Sequence, residues 1–162
     1  MSICKQKIIK IILQQPITFK GLTNQTQCAA ETICKYVEEL EQSGKISSKK
    51  SKFKIFYNPQ LDLKKVEFYE LMLNSSIKKT VYTLLEFSDL SQEQIEESIS
   101  KSRPTVSRAL NTLIENGIVH MNYHAPFKTF YIKDKSKILS WIFETNPLLY
   151  KEMRNVVEMF DY

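Results

Sequence analysis

The chain matches a displaced copy of itself. Shifted by 73 residues, KIIKIILQQPITFKGL falls on TVYTLLEFSDLSQEQI, so that Ile8, Ile9, Ile11 and Ile12 meet Val81, Tyr82, Leu84 and Leu85. Leu22 meets Ile95, and farther on Ile33, Val37, Leu40 and Gly44 meet Val106, Leu110, Leu113 and Gly117. Few of these pairs are identities, but the apolar register holds over roughly forty residues. A slip of one residue would break the 3.6-residue periodicity, so the match reads as a structural repeat. A chain of 162 residues holds one ordinary domain or two small ones, and the repeat favours two.

Both copies parse alike. An apolar-periodic helix is predicted near residues 3–15 and again near 76–88. A short segment led by Ile17-Thr18 or Leu90-Ser91 follows. Ser91 with Gln94 three residues on is a capping-box pattern, which predicts a second helix over about 91–99. A third helix is expected near 27–43 and 103–116. In the second copy Ser102 is the expected N-cap, with Arg103 at N1 and Pro104 at N2, where a missing N–H costs nothing. Gly44 and Gly117 stand where the left-handed residue after a helix belongs. Beyond each glycine lies a predicted strand pair: KISS through KKSK to FKIFY, and IVHMNY through HAP to FKTFYI. Aligning Phe56-Tyr57 with Phe130-Tyr131 needs an offset of 74, so the second loop is one residue longer.

Three helices and a β-hairpin make the arrangement of a winged helix domain. The expected organisation is mainly α with small β-hairpin wings, an α+β class. A first winged helix domain would span 1–58, a connecting helix or linker 59–76, a second winged helix domain 77–134 and C-terminal helices 135–162. In the tail, Asn146 can cap a helix that has Pro147 at N1. Its apolar side chains, from Trp141 and Phe143 through Met153, Val156, Val157, Met159 and Phe160, exceed what so small a domain needs. Packing on the domains and a homodimer through these helices are the expected uses.

Composition removes several functions. With only 3 glycines the chain carries neither GxGxxG nor GxxxxGK[ST], so phosphate loops of those kinds are excluded. No apolar run approaches a bilayer span, and lysines interrupt the N-terminal apolar stretch as they would not in a signal peptide. The odd count of 3 cysteines suggests reduced thiols and a cytoplasmic location, with no membrane association. Cys4 is remote in sequence, Cys28 and Cys34 are not on one face of a helix, and no CxxC or HxxxH spacing exists, so zinc is not expected. His120 and His124 make an unconvincing ligand pair. No catalytic constellation and no cofactor site can be argued, and no enzyme is expected.

The third helix of the second copy carries the most chemistry. With Val106, Leu110 and Leu113 turned to the core, Thr105, Arg108, Asn111 and Thr112 fall on the opposite side, with Ser102 and Arg103 at the entrance. An α-helix fits the major groove, where Arg chelates guanine, Asn pairs with adenine, and Ser or Thr serves base or phosphate. No acidic residue lies between Lys101 and Asn111. The bland alternative is an ordinary solvated helix face.

The segment SRPTVSRALNTLIENGIV resembles the recognition-helix segment of winged helix-turn-helix transcription regulators of the MarR type and their archaeal relatives. Its Ser-Arg-Pro-Thr-Val-Ser-Arg start, Leu-x-x-Leu spacing and Glu-Asn-Gly-Ile-Val exit carry the likeness, which is good over residues 77–133 and weaker over 1–58. The resemblance implies binding of double-stranded DNA, with the third helix in the major groove and the hairpin wing on the flanking backbone or minor groove. By position Ser102, Arg103, Thr105, Ser107 and Arg108 would make base and phosphate contacts, and Lys128 with His124 would touch the backbone. The tandem arrangement departs from such regulators, which usually carry one winged helix per subunit.

Charge divides the copies. The net charge of +5 and pI near 9.0 favour an anionic partner. Residues 1–60 hold ten lysines and four acids, whereas 77–134 hold seven basic and seven acidic residues. The third helix of the first copy presents Glu31, Glu38, Glu39 and Glu41, which suit phosphates badly. Its wing offers Lys49, Lys50, Lys52 and Lys54 for the DNA backbone. The expected function is a DNA-binding transcription regulator. The alternative is a protein–protein adaptor subunit of a larger complex, and a protein partner on the first domain would combine the two.

Overall fold

The computed structural model describes residues 2–152, which form a mainly α chain with small antiparallel hairpins, an α+β winged helix fold. It divides into two compact units. One comprises the described residues up to Glu70 with Phe143–Pro147, the other Leu71–Ile142 with the described residues from Leu148. Among the described residues no helix is long and apolar enough to cross a membrane.

The first unit contains α1 (Ile3–Gln14), β1 (Ile17–Thr18), α2 (Phe19–Thr26), α3 (Ala30–Gln42), β2 (Ser47–Lys50) and β3 (Lys54–Tyr57). After α4 (Leu63–Met72) come α5 (Ser75–Glu86), α6 (Gln92–Ile99), α7 (Arg103–Glu115), β4 (His120–His124) and β5 (Phe127–Tyr131). The last elements described are α8 (Lys135–Thr145) and α9 (Pro147–Glu152).

Periodicity becomes packing in the same way twice. Ile8, Ile12, Leu22, Ile33, Val37, Leu40 and Ile46 are buried in the first unit. Val81, Leu85, Ile95, Val106, Leu110, Leu113 and Val119, each 73 residues on, are buried in the second. Each such side chain contributes about 1.5–3 kcal/mol when fully withdrawn from water, so these stripes fix which faces the helices turn inward.

Local signals set the helix ends. The Ser91 hydroxyl accepts the Gln94 N–H at 3.2 Å while the Gln94 side chain takes the Ser91 N–H at 2.9 Å, closing the capping box. At the far end of α3 the Gly44 N–H reaches the Glu41 carbonyl and the Lys45 N–H the Leu40 carbonyl, both at 3.0 Å. Gly117 and Ile118 repeat the pair on Ile114 and Leu113, again at 3.0 Å. This double closure needs a left-handed residue after the helix, and Gly44 and Gly117 supply φ of +75° and +72°.

The strands pair with matching registers. β1 lies against β3 with Ile17 opposite Phe56, and an isolated bridge sets Leu90 opposite Phe130 in the second unit. The hairpins begin at Ser47 opposite Tyr57 and at His120 opposite Tyr131. The second hairpin extends one pair farther, to His124 opposite Phe127, around a cis Ala125–Pro126 bond. The second turn, residues 125–126, is therefore one residue shorter than the first, 51–53, and not one longer as the alignment predicts: the added length goes into the ladder.

Several expectations need correction. α3 begins at Ala30 instead of near residue 27, because Gln27 is left-handed and the Thr26 hydroxyl takes the Cys28 N–H at 3.2 Å. Lys49 and Lys50 lie in β2, and the turn is residues 51–53. The largest change concerns the thiols. Cys4 and Cys28 form a disulfide, with Cα atoms 6.3 Å apart, so the cysteines are not all reduced and Cys4 is not remote. Cys4 shares its helical face with Ile8 one turn on, and α1 packs on α3, which brings the residue just ahead of α3 to it. Cys34 is free and exposed. Of the apolar tail, Met153, Val156, Val157, Met159 and Phe160 lie outside the described residues.

Candidate nucleic-acid interface

The site begins with the turn that launches α7. Ser100 ends α6 in the left-handed region, and the chain turns at once into α7. Pro104 sits in the first turn, where it removes no helical hydrogen bond. Ser102 is the N-cap by backbone position, yet its hydroxyl makes no cap bond and lies 2.9 Å from the Thr105 hydroxyl. The side chain of Gln92 donates to the Arg103 carbonyl at 3.3 Å, tying α6 to the entrance of α7. The sequence reading did not single out Gln92, whose role depends on the crossing of two helices.

With Val106, Ala109, Leu110 and Leu113 buried, α7 leaves Ser102, Arg103, Arg108 and Asn111 exposed, and Thr105 and Ser107 half-buried on its flanks. These six belong to one end and one side of the helix, apart from the buried stripe. Arg108 Nε lies back along the helix on the Pro104 carbonyl at 3.3 Å, and the Thr112 hydroxyl donates to the Arg108 carbonyl. Among the described residues neither arginine forms an ion pair, so both guanidinium groups are available to an anion. A cleft of about 200 Å³ beside α7 is lined by Thr105, Arg108 and Thr112 together with Asn74 and Ser76 at the start of α5. An anion there would meet the Arg108 guanidinium, while the first N–H groups of α5, at Ser76 and Ile77, are already taken by Asn74 Oδ1 at 3.0 and 3.1 Å.

Charge within the second unit is segregated. From Lys101 to Lys133 there are five basic residues, Lys101, Arg103, Arg108, Lys128 and Lys133, against one acid, Glu115. The remaining acids of the unit's core region sit on α5, α6 and the loops. On the wing, His124 and Lys128 are exposed, and Lys128 stands opposite Tyr123. His120, by contrast, packs its ring 5.7 Å from that of Tyr131. Asp89, the acid nearest the wing, is held by Asn122 at 3.2 Å. Lys135 is occupied as well, donating to Ser88 Oγ at 2.8 Å; burial lowers its pKa, with Asp89 opposing.

The first unit treats its lysines differently. Lys49 lies 3.6 Å from both Glu67 and Glu70 of α4, and Lys54 lies 3.4 Å from Glu41 of α3. Lys50 and Lys52 are exposed and form no ion pair among the described residues. The outward face of α3 presents Glu31, Lys35 and Glu38, and Lys5 engages Glu39 at 3.1 Å. Of the four wing lysines two are thus tethered to carboxylates and two are outside any ion pair among the described residues.

Three side chains at the second wing went unassigned from sequence. Phe127, Tyr123 and Met121 are 72%, 60% and 47% exposed. Strand alternation alone sends one face of a hairpin inward and does not announce that its outer end projects past the core.

No protein-family model and no curated protein matches the chain. Among solved structures it is similar to the transcriptional regulator SlyA, with 25% identity over 60% of this chain and 66% of that one, at a TM-score of 0.43. It is also similar to ScpB from Mycobacterium tuberculosis, with 13% identity over 85% and 92% of the two chains and a TM-score of 0.32. A third is the endosomal complex ESCRT-II, with 13% identity over 83% and 63% and a TM-score of 0.34. At such scores the fold rests on the element order, strand pairing and helix closures described above.

Proposed function

We propose that the chain is a DNA-binding transcription regulator built as a tandem pair of winged helix domains, with α7 of the second domain lying in the major groove. One observation carries this reading: α7 exposes Arg103, Arg108 and Asn111, neither arginine ion-paired among the described residues, inside a stretch from Lys101 to Lys133 that holds a single acid. Arg103 and Arg108 would read guanine or grip phosphate, Asn111 would read adenine, and Ser102, Thr105 and Ser107 would fix the register on the backbone. His124 and Lys128 would meet the flanking backbone. Lys50 and Lys52 of the first wing would add phosphate contacts, since Lys49 and Lys54 are committed to glutamates.

A second reading concerns the first unit. Glu31 and Glu38 on the outward side of α3 oppose DNA and suit a basic protein surface, so this unit would dock a partner while the second reads DNA. An adaptor subunit that binds no DNA is the competing account.

Binding to random-sequence duplexes at two salt concentrations tests the reading. Contacts to about four phosphates give a slope of log K against log salt near −3.6. Arg103→Ala/Arg108→Ala is expected to weaken binding and flatten that slope. Absence of binding at low salt would overturn the regulator and leave the adaptor.

A further inference from the structure

The strands that close the two hairpins share a sequence, FKIFY and FKTFY, at Phe53–Tyr57 and Phe127–Tyr131. The second phenylalanine of each, Phe56 or Phe130, is buried. The first, Phe53 or Phe127, is exposed at the wing tip with a lysine beside it. A single exposed apolar side chain is ordinary, but the second hairpin exposes three, Phe127, Tyr123 and Met121, and a group of that kind marks a surface that meets a partner.

The two tips are not equivalent. Lys52 Nζ lies 5.6 Å from the ring centre of Phe53, partly covering it, and Lys54 is drawn to Glu41. Phe127 is 72% exposed, and Lys128 has no ion pair among the described residues. His124 stands opposite Phe127, residues 116–133 contain no acidic side chain, and Asp89 reaches the hairpin two residues back from the tip, where Asn122 holds it at 3.2 Å. An apolar tip framed by cationic and uncharged groups, on the same unit as α7, matches the chemistry of a duplex groove: phosphates at the rim and stacked bases within.

We propose that Phe127 is a wedge that enters the minor groove and slips between two base pairs, bending the duplex, with Lys128 anchoring the adjacent phosphate. This rests on the DNA-binding reading above and adds to it a residue and a deformation. Insertion of this kind unstacks one step and kinks DNA by about 20–90° toward the major groove, which makes pyrimidine–purine steps the preferred position.

The test uses the whole chain with duplexes recovered from a random pool, carrying a donor and an acceptor at their ends. Wild type is expected to shorten the end-to-end distance. Phe127→Ala should bind roughly tenfold more weakly and leave the duplex nearly straight, whereas Phe127→Leu, still an apolar wedge, should keep most of the bend. Bound but unbent duplex with wild type, or a full bend with Phe127→Ala, overturns the wedge alone. Failure of the wild type to bind any duplex overturns the DNA-binding reading together with it.

Discussion

Reducing the Cys4–Cys28 bridge should destabilise the first unit and spare the second. The bridge ties α1 to the residue pair preceding α3 across a sequence separation of 24. A cross-link over that span removes chain entropy from the unfolded state equivalent to about 3.5 kcal/mol at room temperature. Cys28 is buried in the first unit's core cluster, with Ile8, Ile12 and Ile33, and its Sγ lies 3.7 Å from the Thr26 carbonyl, a weak contact that does not replace the cross-link. For a unit of this size, with a urea m-value of about 1 kcal/mol/M, the unfolding midpoint should fall by about 3.5 M. Far-UV circular dichroism during urea unfolding, with and without a reductant, reads this loss. The one tryptophan, Trp141, belongs to the second unit and should report an unchanged transition. Alkylation of the native, unreduced protein should label Cys34 only. Coincident dichroism curves in the two conditions, or three labelled thiols without reductant, would refute the reasoning.

Other perturbations follow from the same geometry. Gly117→Ala places a side chain at φ +72° with open space around it, so backbone strain alone should cost about 1–2 kcal/mol in thermal or chemical unfolding. Gly21→Ala should cost about 1–3 kcal/mol for a different reason, since the new Cβ would stand 2.6 Å from Cγ1 of buried Ile17 and force α2 off β1. Lys50→Gln/Lys52→Gln should reduce the steepness of the salt dependence of DNA binding by about 1.8, whereas Lys49→Gln/Lys54→Gln should leave it nearly unchanged. Burial raises the pKa of Tyr69 above 10.0. Its protonated form is therefore favoured by folding, and the stability it lends is complete below pH 10 and is lost as pH rises through the folded value. Absorbance at the tyrosinate band should place its ionisation above that of the exposed tyrosines.

What could be read from sequence was what is decided locally. The helix stripes, the Ser91–Gln94 box and the two post-helical glycines each depend on residues within about one or two turns, and the structure forms them where the spacing puts them. Even the one-residue difference between the hairpins was visible, through the shift of Phe130-Tyr131 against Phe56-Tyr57. Features created by packing were not. The disulfide needs α1 laid against α3, and sequence distance says nothing of that. Lys49 and Lys54 looked like free wing cations because Glu67, Glu70 and Glu41 come from elements whose placement the local pattern does not encode. For the same reason α7's outward face was identifiable from periodicity, while Gln92's hold on its first turn and the exposure of Phe127 emerged only in three dimensions.

The central claim is that α7 reads base sequence, and its most direct test compares the sites selected from a random duplex pool by wild type and by Arg108→Ala. A bidentate arginine contact contributes about 1–3 kcal/mol of discrimination at one base pair. The account predicts that wild type enriches a defined motif and that Arg108→Ala relaxes one position in it, a guanine, while the rest persists. Identical motifs from the two proteins, or no enriched motif from wild type, would contradict it.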